Sequence, residues 1–362
     1  MTVRHWVRLL TWGALLAVAA MLPVAANAAD DSQVAPGEAA IWGTLPPKID
    51  RVFAAGPPAS VLVAVIAPEK LIGWPLELSA KAKALLPPDL AALQTVGHLA
   101  GRGSTSSPEA VAALRPDLIL DAGEVSATYL TMAERVQRQT GITYALINGR
   151  FVNTPTILRQ AGKLLGHPDR GEELALFAEG LMAEISRKIA TVPQSDRPRV
   201  YFARGPHGLE TGLRGSINSE LIEYLGAVNI AGEKEGTGIA TVSMEQVMRW
   251  DPDVILVEAP TFVAQEESAS FFKDGLQKDS WQQLRAVRNH RVFLAPALPF
   301  GWIDAPPSVN RIVGLPWLAG KLYPDLFKDV MRQQILTFYQ KFYRVTLSDE
   351  QLDHLVKGDA SI

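Results

Sequence analysis

The side chains best suited to binding chemistry lie in the turns that follow predicted strands. Arg204 and His207 follow one strand, and Trp302 follows the last one. A guanidinium suits a carboxylate or another oxyanion, and a Trp or Phe ring suits the flat apolar body of an organic ligand. These turns therefore predict a site for an anionic organic ligand or a metal chelate. Further candidates of the same types are Phe300, Phe262, Tyr129, Phe151, Arg102, Trp74 and Arg311.

Each of these candidates also has an ordinary structural explanation. A Trp or Phe beside a turn commonly packs into the core. Arg311 could cap or pair within its own helix. The sequence leaves both alternatives open.

Motifs for catalysis and for direct metal binding are missing. The sequence has no G-x-S-x-G, H-E-x-x-H or Walker A pattern, no Cys, and no two of its six His at metal-ligand spacing. We therefore expect a binding protein without a permanently bound cofactor. A secreted α/β hydrolase is the alternative from another class, and it would need Ser106 or Ser216 within hydrogen-bond reach of a His.

A pattern that occurs twice places the predicted turns. Residues 107–121 read S-P-E-A-V-A-A-L-R-P-D-L-I-L-D, and residues 243–258 read S-M-E-Q-V-M-R-W-D-P-D-V-I-L-V-E. In each copy the Ser suits a helix N-cap, the Glu suits the first turn, and the Pro-Asp pair ends the helix before an apolar run typical of a buried parallel strand. The copies are too far apart for a solenoid repeat and predict two similar lobes.

The pattern and the segments around it predict an α/β fold: two lobes with short, mostly parallel sheets, joined by a single long α-helix. Leu174, Phe177 and Leu181 begin the apolar stripe that predicts this helix. Ligands of open α/β sheets bind beyond the carboxyl ends of the strands, so the site is expected in a cleft between the lobes. The predicted segments are a signal peptide 1–28, a tail 29–48, an N-terminal lobe 49–168, the connecting helix 169–193, a C-terminal lobe 194–330 and C-terminal helices 331–362.

The N-terminus resembles a secretory signal peptide. Arg4 and Arg8 precede an apolar stretch, and Ala26-Asn27-Ala28 fits a cleavage site. A transmembrane anchor is the alternative, but the apolar run is short for a membrane span. Cleavage would leave 33 Lys and Arg against 38 Asp and Glu, so no basic surplus favours nucleic acid as a partner. Without a Cys to carry a lipid, we expect the exported protein free in the periplasm.

A series of motifs runs in order through residues 49–330. They read R-V-F-A-A-G-P-P-A-S, L-I-G-W, V-G-H-L, the twice-used S-x-E and P-D pattern, A-V-R-N-H-R-V-F, and P-F-G-W-I-D-A-P-P-S-V-N-R. Together they resemble the periplasmic binding proteins of ATP-driven importers for iron siderophores, haem and cobalamin. The resemblance implies a monomer of two rigid lobes that closes slightly on its ligand and is not an enzyme.

The same resemblance implies partners. It predicts delivery to an inner-membrane permease dimer with its ATPase, and by position in the motif Glu109 and Glu245 should pair with permease Arg residues. Plain stabilisation of the two helix N-termini would also explain both Glu. The expected ligand is a ferric siderophore or a similar iron complex. Molybdate or tungstate, a nickel chelate, haem and a corrinoid are alternatives, and a receptor that signals to a sensor would share the fold.

Overall fold

Two four-stranded sheets, one in each half of the sequence, form the framework of the protein. The computed structural model describes residues 39–101, 103–233, 238–259, 261–262, 269–327 and 331–357. The predicted signal peptide and Arg102 lie outside these residues. The predicted α/β fold with short, mostly parallel sheets is confirmed.

The first sheet has the strand order β1-β4-β3-β2. Strands β4, β3 and β2 are parallel to one another, and β1 pairs with β4 in the antiparallel direction. The strands are β1 Ala39–Trp42, β2 Val52–Ala54, β3 Leu118–Gly123 and β4 Thr143–Asn148.

Two expectations for this sheet were wrong. The predicted tail contains β1, where Trp42 packs edge-on against Tyr144 with ring centroids 6.2 Å apart. The run L-I-G-W-P at residues 71–75 predicts a short strand and turn, but Leu71 and Trp74 each make only one isolated bridge there. Pro75 has no N–H to donate, which disfavours a continued ladder there.

The second sheet has the order β10-β9-β5-β7, and all of its pairs are parallel. Strands β6 and β8 form a separate antiparallel pair. The strands are β5 Arg199–Ala203, β6 Glu210–Gly212, β7 Val228–Asn229, β8 Ile239–Thr241, β9 Val254–Val257 and β10 Val292–Leu294.

Helices surround the sheets, and the longest of them, α7, separates the two sheets along the chain. The sequence predicts helices from Ser216 to Leu225 and from Pro307 to Leu322, but α8 and α13 begin later because turns precede both. A π-helical segment, Tyr339–Tyr343, follows α15. None of the helices in the described ranges combines the length and apolarity that a bilayer crossing requires. The helices are α1 Pro57–Ile66, α2 Ala80–Ala84, α3 Pro88–Ala91, α4 Pro108–Ala113, α5 Ala127–Thr140, α6 Thr154–Leu164, α7 Pro168–Ile189, α8 Glu220–Tyr224, α9 Met244–Trp250, α10 Ala269–Lys273, α11 Asp279–Gln282, α12 Arg285–Arg288, α13 Arg311–Leu322, α14 Pro324–Phe327, α15 Met331–Phe338 and α16 Asp349–Lys357.

The repeated pattern folds in the same way in both halves. Ser107 caps α4 and Ser243 caps α9, and each hydroxyl accepts a backbone N–H three residues later at 3.2 Å. The Asp of each Pro-Asp pair then holds the neighbouring strand. Asp117 Oδ2 accepts from the backbone N–H of Arg51 at 2.9 Å, and Asp253 Oδ2 accepts from that of Arg199 at 2.9 Å. One side chain therefore positions two adjacent strands in each half.

One apolar cluster runs through both halves, and a smaller one lies in each half. The shared cluster includes buried residues of α1 and α6 from the first half and of α13 from the second. The chain end reinforces the long helix, because Phe342 packs against Phe177 with centroids 6.0 Å apart and Lys341 pairs with Glu173 at 3.0 Å. This core fixes the two sheets relative to each other.

Candidate ligand-binding cavity

A cavity of about 650 Å³ lies between the two halves of the molecule. It opens beyond the carboxyl ends of β2 and β3, where ligands of parallel sheets bind. Most of its lining is apolar. The lining residues are Gly56, Pro57, Pro58, Leu76, His98, Ala100, Gly101, Gly103, Thr105, Asp121, Ala122, Gly123, Glu124 and Tyr129 from the first half, and Ile217, Asn218, Gly238, Ile239, Phe262, Ala305, Pro306 and Pro307 from the second.

His98 is a buried lining residue with a defined tautomer. Its Nδ1 lies 3.0 Å from the carbonyl oxygen of Ala100. A carbonyl only accepts hydrogen bonds, so Nδ1 carries the proton and Nε2 keeps its lone pair. An imidazole in this state can accept a hydrogen bond or ligate a metal through Nε2.

The loop around His98 is held by its own hydrogen bonds. The carbonyl oxygen of His98 accepts the backbone N–H groups of Thr105 and Ser106, both at 3.1 Å. Gly97 and Gly101 have positive φ values of 81° and 98°, a backbone conformation that favours glycine. The Gly-rich sequence therefore folds a tight loop that fixes the imidazole at the cavity wall.

Asp121 is a buried acid near the end of β3. Its Oδ1 accepts the backbone N–H of Ala122, and its Oδ2 accepts the hydroxyl of Tyr144, both at 2.9 Å. Burial raises the pKa of Asp121 to about 6, against the opposing effect of these two hydrogen bonds. No Lys or Arg in the described ranges pairs with this carboxylate.

Tyr129 and Glu124 line the wall beside Asp121. The pKa of Tyr129 is raised first by burial and then by the charges of Asp121 and Glu124. The three side chains therefore lie close enough to influence one another. Together they make the described wall of the first half acidic.

In the second half the buried acidic groups of the described chain lie against a buried cation. Arg204 is buried, and its Nε and Nη2 donate to Glu258 Oε1 at 2.9 and 2.6 Å, while Nη2 lies 3.3 Å from Asp304 Oδ2. Burial tends to lower the pKa of Arg204, but Asp304 and Glu258 raise it above its ordinary value. Asn218, a lining residue, donates to both oxygens of Asp304. We call these four residues the Arg204 cluster.

The expectation that Arg204 and His207 face the ligand is not met at this cavity. Arg204 does not line it because its guanidinium is held by Glu258 and Asp304. His207 is exposed and also lies outside the lining.

Most of the predicted aromatic contacts belong to the core instead. Trp302 is fully buried and donates from Nε1 to the carbonyl oxygen of Leu298 at 3.1 Å. Trp74 is buried too, and its ring centroid lies 5.3 Å from that of Phe300. Phe151 is buried with its ring 5.4 Å from the guanidinium of Arg311. Of the described candidates, Tyr129 and Phe262 line the cavity.

Arg311 joins the two halves instead of contacting the cavity. Its Nη1 donates to Glu220 Oε2 at 2.9 Å, and its Nη2 donates to the carbonyl oxygen of Gly149 at 2.7 Å. Glu220 also accepts the backbone N–H of Phe151 at 2.7 Å and pairs with Arg150. We call this group the Arg311–Glu220 bridge.

Sequence reasoning missed His98 and Asp121. His98 lies in the V-G-H-L motif within a Gly-rich segment, and Asp121 closes the apolar run of the first repeat. Both positions follow strand signals, and this was the available indication.

Glu109 and Glu245 occupy matching exposed positions in the first turns of α4 and α9. The pKa of each is lowered, first by a backbone N–H and then by the capping hydroxyl of Ser107 or Ser243. Both side chains are therefore charged and accessible at neutral pH.

The geometry required for a Ser hydrolase is not present in the described ranges. There, neither the Ser106 hydroxyl nor the Ser216 hydroxyl hydrogen-bonds the imidazole of a His, and the buried Ser216 hydroxyl has no partner among these residues. The same ranges hold no group of three His, Asp or Glu side chains able to bind a bare metal ion.

The sequence model of a family described as periplasmic binding protein matches residues 70–298. The molybdate-binding protein MolA of Haemophilus influenzae is 30% identical over 178 residues, which are 49% of this chain and 48% of that protein. The high-affinity heme uptake system protein IsdE of Staphylococcus aureus is 25% identical over 162 residues, 44% of this chain and 54% of that protein. The chain thus spans about half the length of these curated relatives.

Solved structures match over more of the chain. An ABC transporter solute binding protein from Sulfurospirillum deleyianum aligns with a TM-score of 0.76 at 29% identity, and covers 86% of this chain and 95% of that one. The similarity therefore includes both sheets and the long helix.

Proposed function

Because this chain belongs to the periplasmic binding protein family, we propose that it captures a metal chelate, foremost an iron complex, and delivers it to an ABC-type importer. In this role it is a transport component and not an enzyme. The predicted signal peptide supports a periplasmic location.

The observation that carries the choice of ligand is the mostly apolar cavity with His98 at its wall. A volume of about 650 Å³ lies within the range of roughly 300–1,000 Å³ typical of sites for organic ligands. Nε2 of His98 is free to ligate a metal that an organic chelator has left incompletely coordinated.

The charges of the cavity argue against a bare oxyanion such as molybdate. An oxyanion site needs cationic or N–H donors, whereas the described charged lining consists of Asp121 and Glu124. This also revises the expectation of an anionic organic ligand, which rested on Arg204, a residue neutralised by Glu258 and Asp304. Relatives named for molybdate and for heme uptake do not decide between these ligand classes.

Docking to a permease dimer is proposed through Glu109 and Glu245. Both carboxylates are exposed, both follow a Ser N-cap, and they lie on opposite halves of the molecule. Two equivalent acidic points suit two equivalent basic points on a symmetric permease.

Native mass spectrometry of protein purified from its own periplasm tests the ligand class. We expect an iron-bearing organic mass, and titration of the emptied protein with that chelate should quench tryptophan fluorescence. Tight binding of molybdate, with no binding of ferric trihydroxamates, haem or nickel–histidine complexes, would refute the proposal.

A pair of His variants tests the contact itself. His98→Ala should weaken binding of the chelate by at least about tenfold, since even residues that only orient a metal ligand contribute about 10–100-fold. His207→Ala, at an exposed position outside the cavity, should bind as the wild type does. Equal affinities of the two variants would exclude His98 as a metal ligand.

A further inference from the structure

Asp121 differs from the other buried acids of the described chain. Glu220 has Arg311 and Arg150 as partners, and Asp304 has Arg204. Asp121 has one hydroxyl and one backbone N–H, and no basic side chain pairs with it within the described ranges. A buried charge without a counter-charge is costly, so such a position calls for an explanation.

The surroundings of Asp121 do not supply the missing positive charge. Glu124 adds a second carboxylate, Tyr129 lies close enough to sense both acids, and Tyr144 is neutral when it donates to Oδ2. His98 donates from Nδ1 to the carbonyl oxygen of Ala100, and no hydrogen bond joins it to Asp121 within the described ranges. The described side of the cavity is therefore negative around Asp121 at neutral pH, since its pKa is about 6.

The carboxylate also has unused hydrogen-bonding capacity. A carboxylate offers about four acceptor sites, and the protein contacts use one on each oxygen. These two contacts fix the orientation of the group at the wall of the cavity. A preoriented acceptor of this kind is suited to a cationic donor that arrives with the ligand.

We propose that Asp121 binds a cationic hydrogen-bond donor of the ligand, such as an ammonium group, and that the cavity thereby selects metal chelates of positive or neutral charge over anionic ones. This inference rests on the proposed function, because it assumes a metal chelate in the same cavity. It assigns Asp121 the choice among chelates, while His98 contacts the metal.

A charge series on one chelate core tests the selection. Ferrioxamine B is a ferric trihydroxamate with a free amine and one positive charge; its N-acetyl form is neutral, and its N-succinyl form carries one negative charge. The three hydroxamates fill all six positions of the iron, so this series tests Asp121 apart from any ligation of the metal by His98. Calorimetric titration of the wild type should give the tightest binding for ferrioxamine B and the weakest for the succinyl form. This order of affinities can be measured on the wild-type protein alone.

Asp121→Asn then tests the residue. The amide keeps the size of the side chain and removes its charge, so binding of ferrioxamine B should fall by about 10- to 100-fold, the contribution of one charge-assisted hydrogen bond. The difference between the positive and negative chelates should largely vanish. Asp89→Asn, the same substitution at an exposed position outside the cavity, should keep the wild-type order.

Each result has a distinct meaning. An unchanged charge order in Asp121→Asn, or tightest wild-type binding of the succinyl form, would overturn the role of Asp121 while the chelate-binding function stands. Failure of the wild type to bind any of the three chelates, haem or a nickel–histidine complex would overturn the proposed function and this inference together.

Discussion

The two halves of the molecule contain the same repeated helix–strand unit but differ in the side chains at the ends of the strands. In both, a Ser caps a short helix and an Asp holds the neighbouring strand by its backbone N–H. Near the end of β3, however, Asp121 lines the cavity and pairs with no Lys or Arg of the described ranges, whereas after β9 Glu258 is paired with the buried Arg204. The repeat therefore specifies the scaffold, and the residues at the strand ends decide what each half does.

Because of this difference, the two halves contribute different kinds of side chain to the cavity wall. The first half contributes His98, Asp121 and Tyr129 to the wall, all with polar atoms suited to a ligand. The second half contributes mainly apolar surface, and its polar lining residue Asn218 is committed to Asp304. Under the proposed function, the described residues of the first half recognise the ligand, and those of the second half cover it.

The largest effect is expected at the two proposed docking residues, which should contribute equally to transport in the two halves. Glu109→Lys combined with Glu245→Lys should abolish transport and leave ligand affinity unchanged, because both carboxylates are exposed and lie outside the cavity. Uptake of labelled chelate by cells measures transport, and calorimetry measures affinity. Each single variant should reduce uptake to a similar degree, and Glu134→Lys serves as an exposed control. Loss of affinity in the purified double variant would show that these Glu support the fold or the cavity.

The second prediction breaks the Arg204 cluster. Arg204→Met leaves Glu258 and Asp304 buried without their cation, so the free energy of unfolding should fall by about 3–5 kcal/mol. Urea denaturation measures this loss. The order of affinities in the ferrioxamine series should persist, since Arg204 does not line the cavity. If Arg204→Met had wild-type stability but no preference among these chelates, Arg204 would have to be a residue of the binding site.

The third prediction concerns the uncompensated acid of the first half. Burial raises the pKa of Asp121 from 3.8 to about 6, so the native state holds this proton more tightly than the unfolded chain. The stability from this group is present below about pH 4 and is lost as the pH rises through 6. Asp121→Asn should therefore stabilise the empty protein on the order of 2 kcal/mol at pH 7.5, and by less at pH 5.

Thermal melts at several pH values would check this prediction, with Asp89→Asn as a control whose difference from the wild type stays constant. Greater stability of the empty variant, together with weaker chelate binding, would mark Asp121 as a residue kept for function. A destabilisation that is equal at all pH values would instead assign it a structural role.

The smallest expected effect tests the equivalence of the repeated helices. Ser107→Ala and Ser243→Ala each remove an N-cap hydrogen bond of 3.2 Å, and each should lower the free energy of unfolding by about 1 kcal/mol. Chemical denaturation of both variants provides the comparison. A much larger loss of stability for one of the two variants would show that its helix also stabilises the adjoining sheet.

The sequence predicted the scaffold better than the site, for a physical reason. Capping residues, Pro-Asp pairs and the apolar stripe of α7 act over a few residues, so they can be recognised locally. Whether Arg204 faces a ligand depends on Glu258 and Asp304, which are distant in sequence and close only after folding. Trp302 was a candidate by type, yet its indole N–H finds a carbonyl partner within the core.

Asp121 illustrates the opposite error. It directly follows the apolar run, residues 118–120, that predicts a buried strand, and it lies within that strand in the structure. Asp121 is unusual because no Lys or Arg of the described ranges pairs with it. A single sequence does not show this, because it does not tell which side chains come together after folding. The short strand β1 was missed because its four residues carry little pattern.

The Arg311–Glu220 bridge has a consequence for the cooperativity of unfolding. Arg311 donates to Gly149, a residue 162 positions earlier, and Glu220 of the second half receives the backbone N–H of Phe151 in the first. Separation of the halves would leave buried charges and a carbonyl oxygen without partners and would open the shared apolar core. We therefore expect the two halves to unfold as a single thermodynamic unit, in one transition, although the sequence is written as two similar lobes.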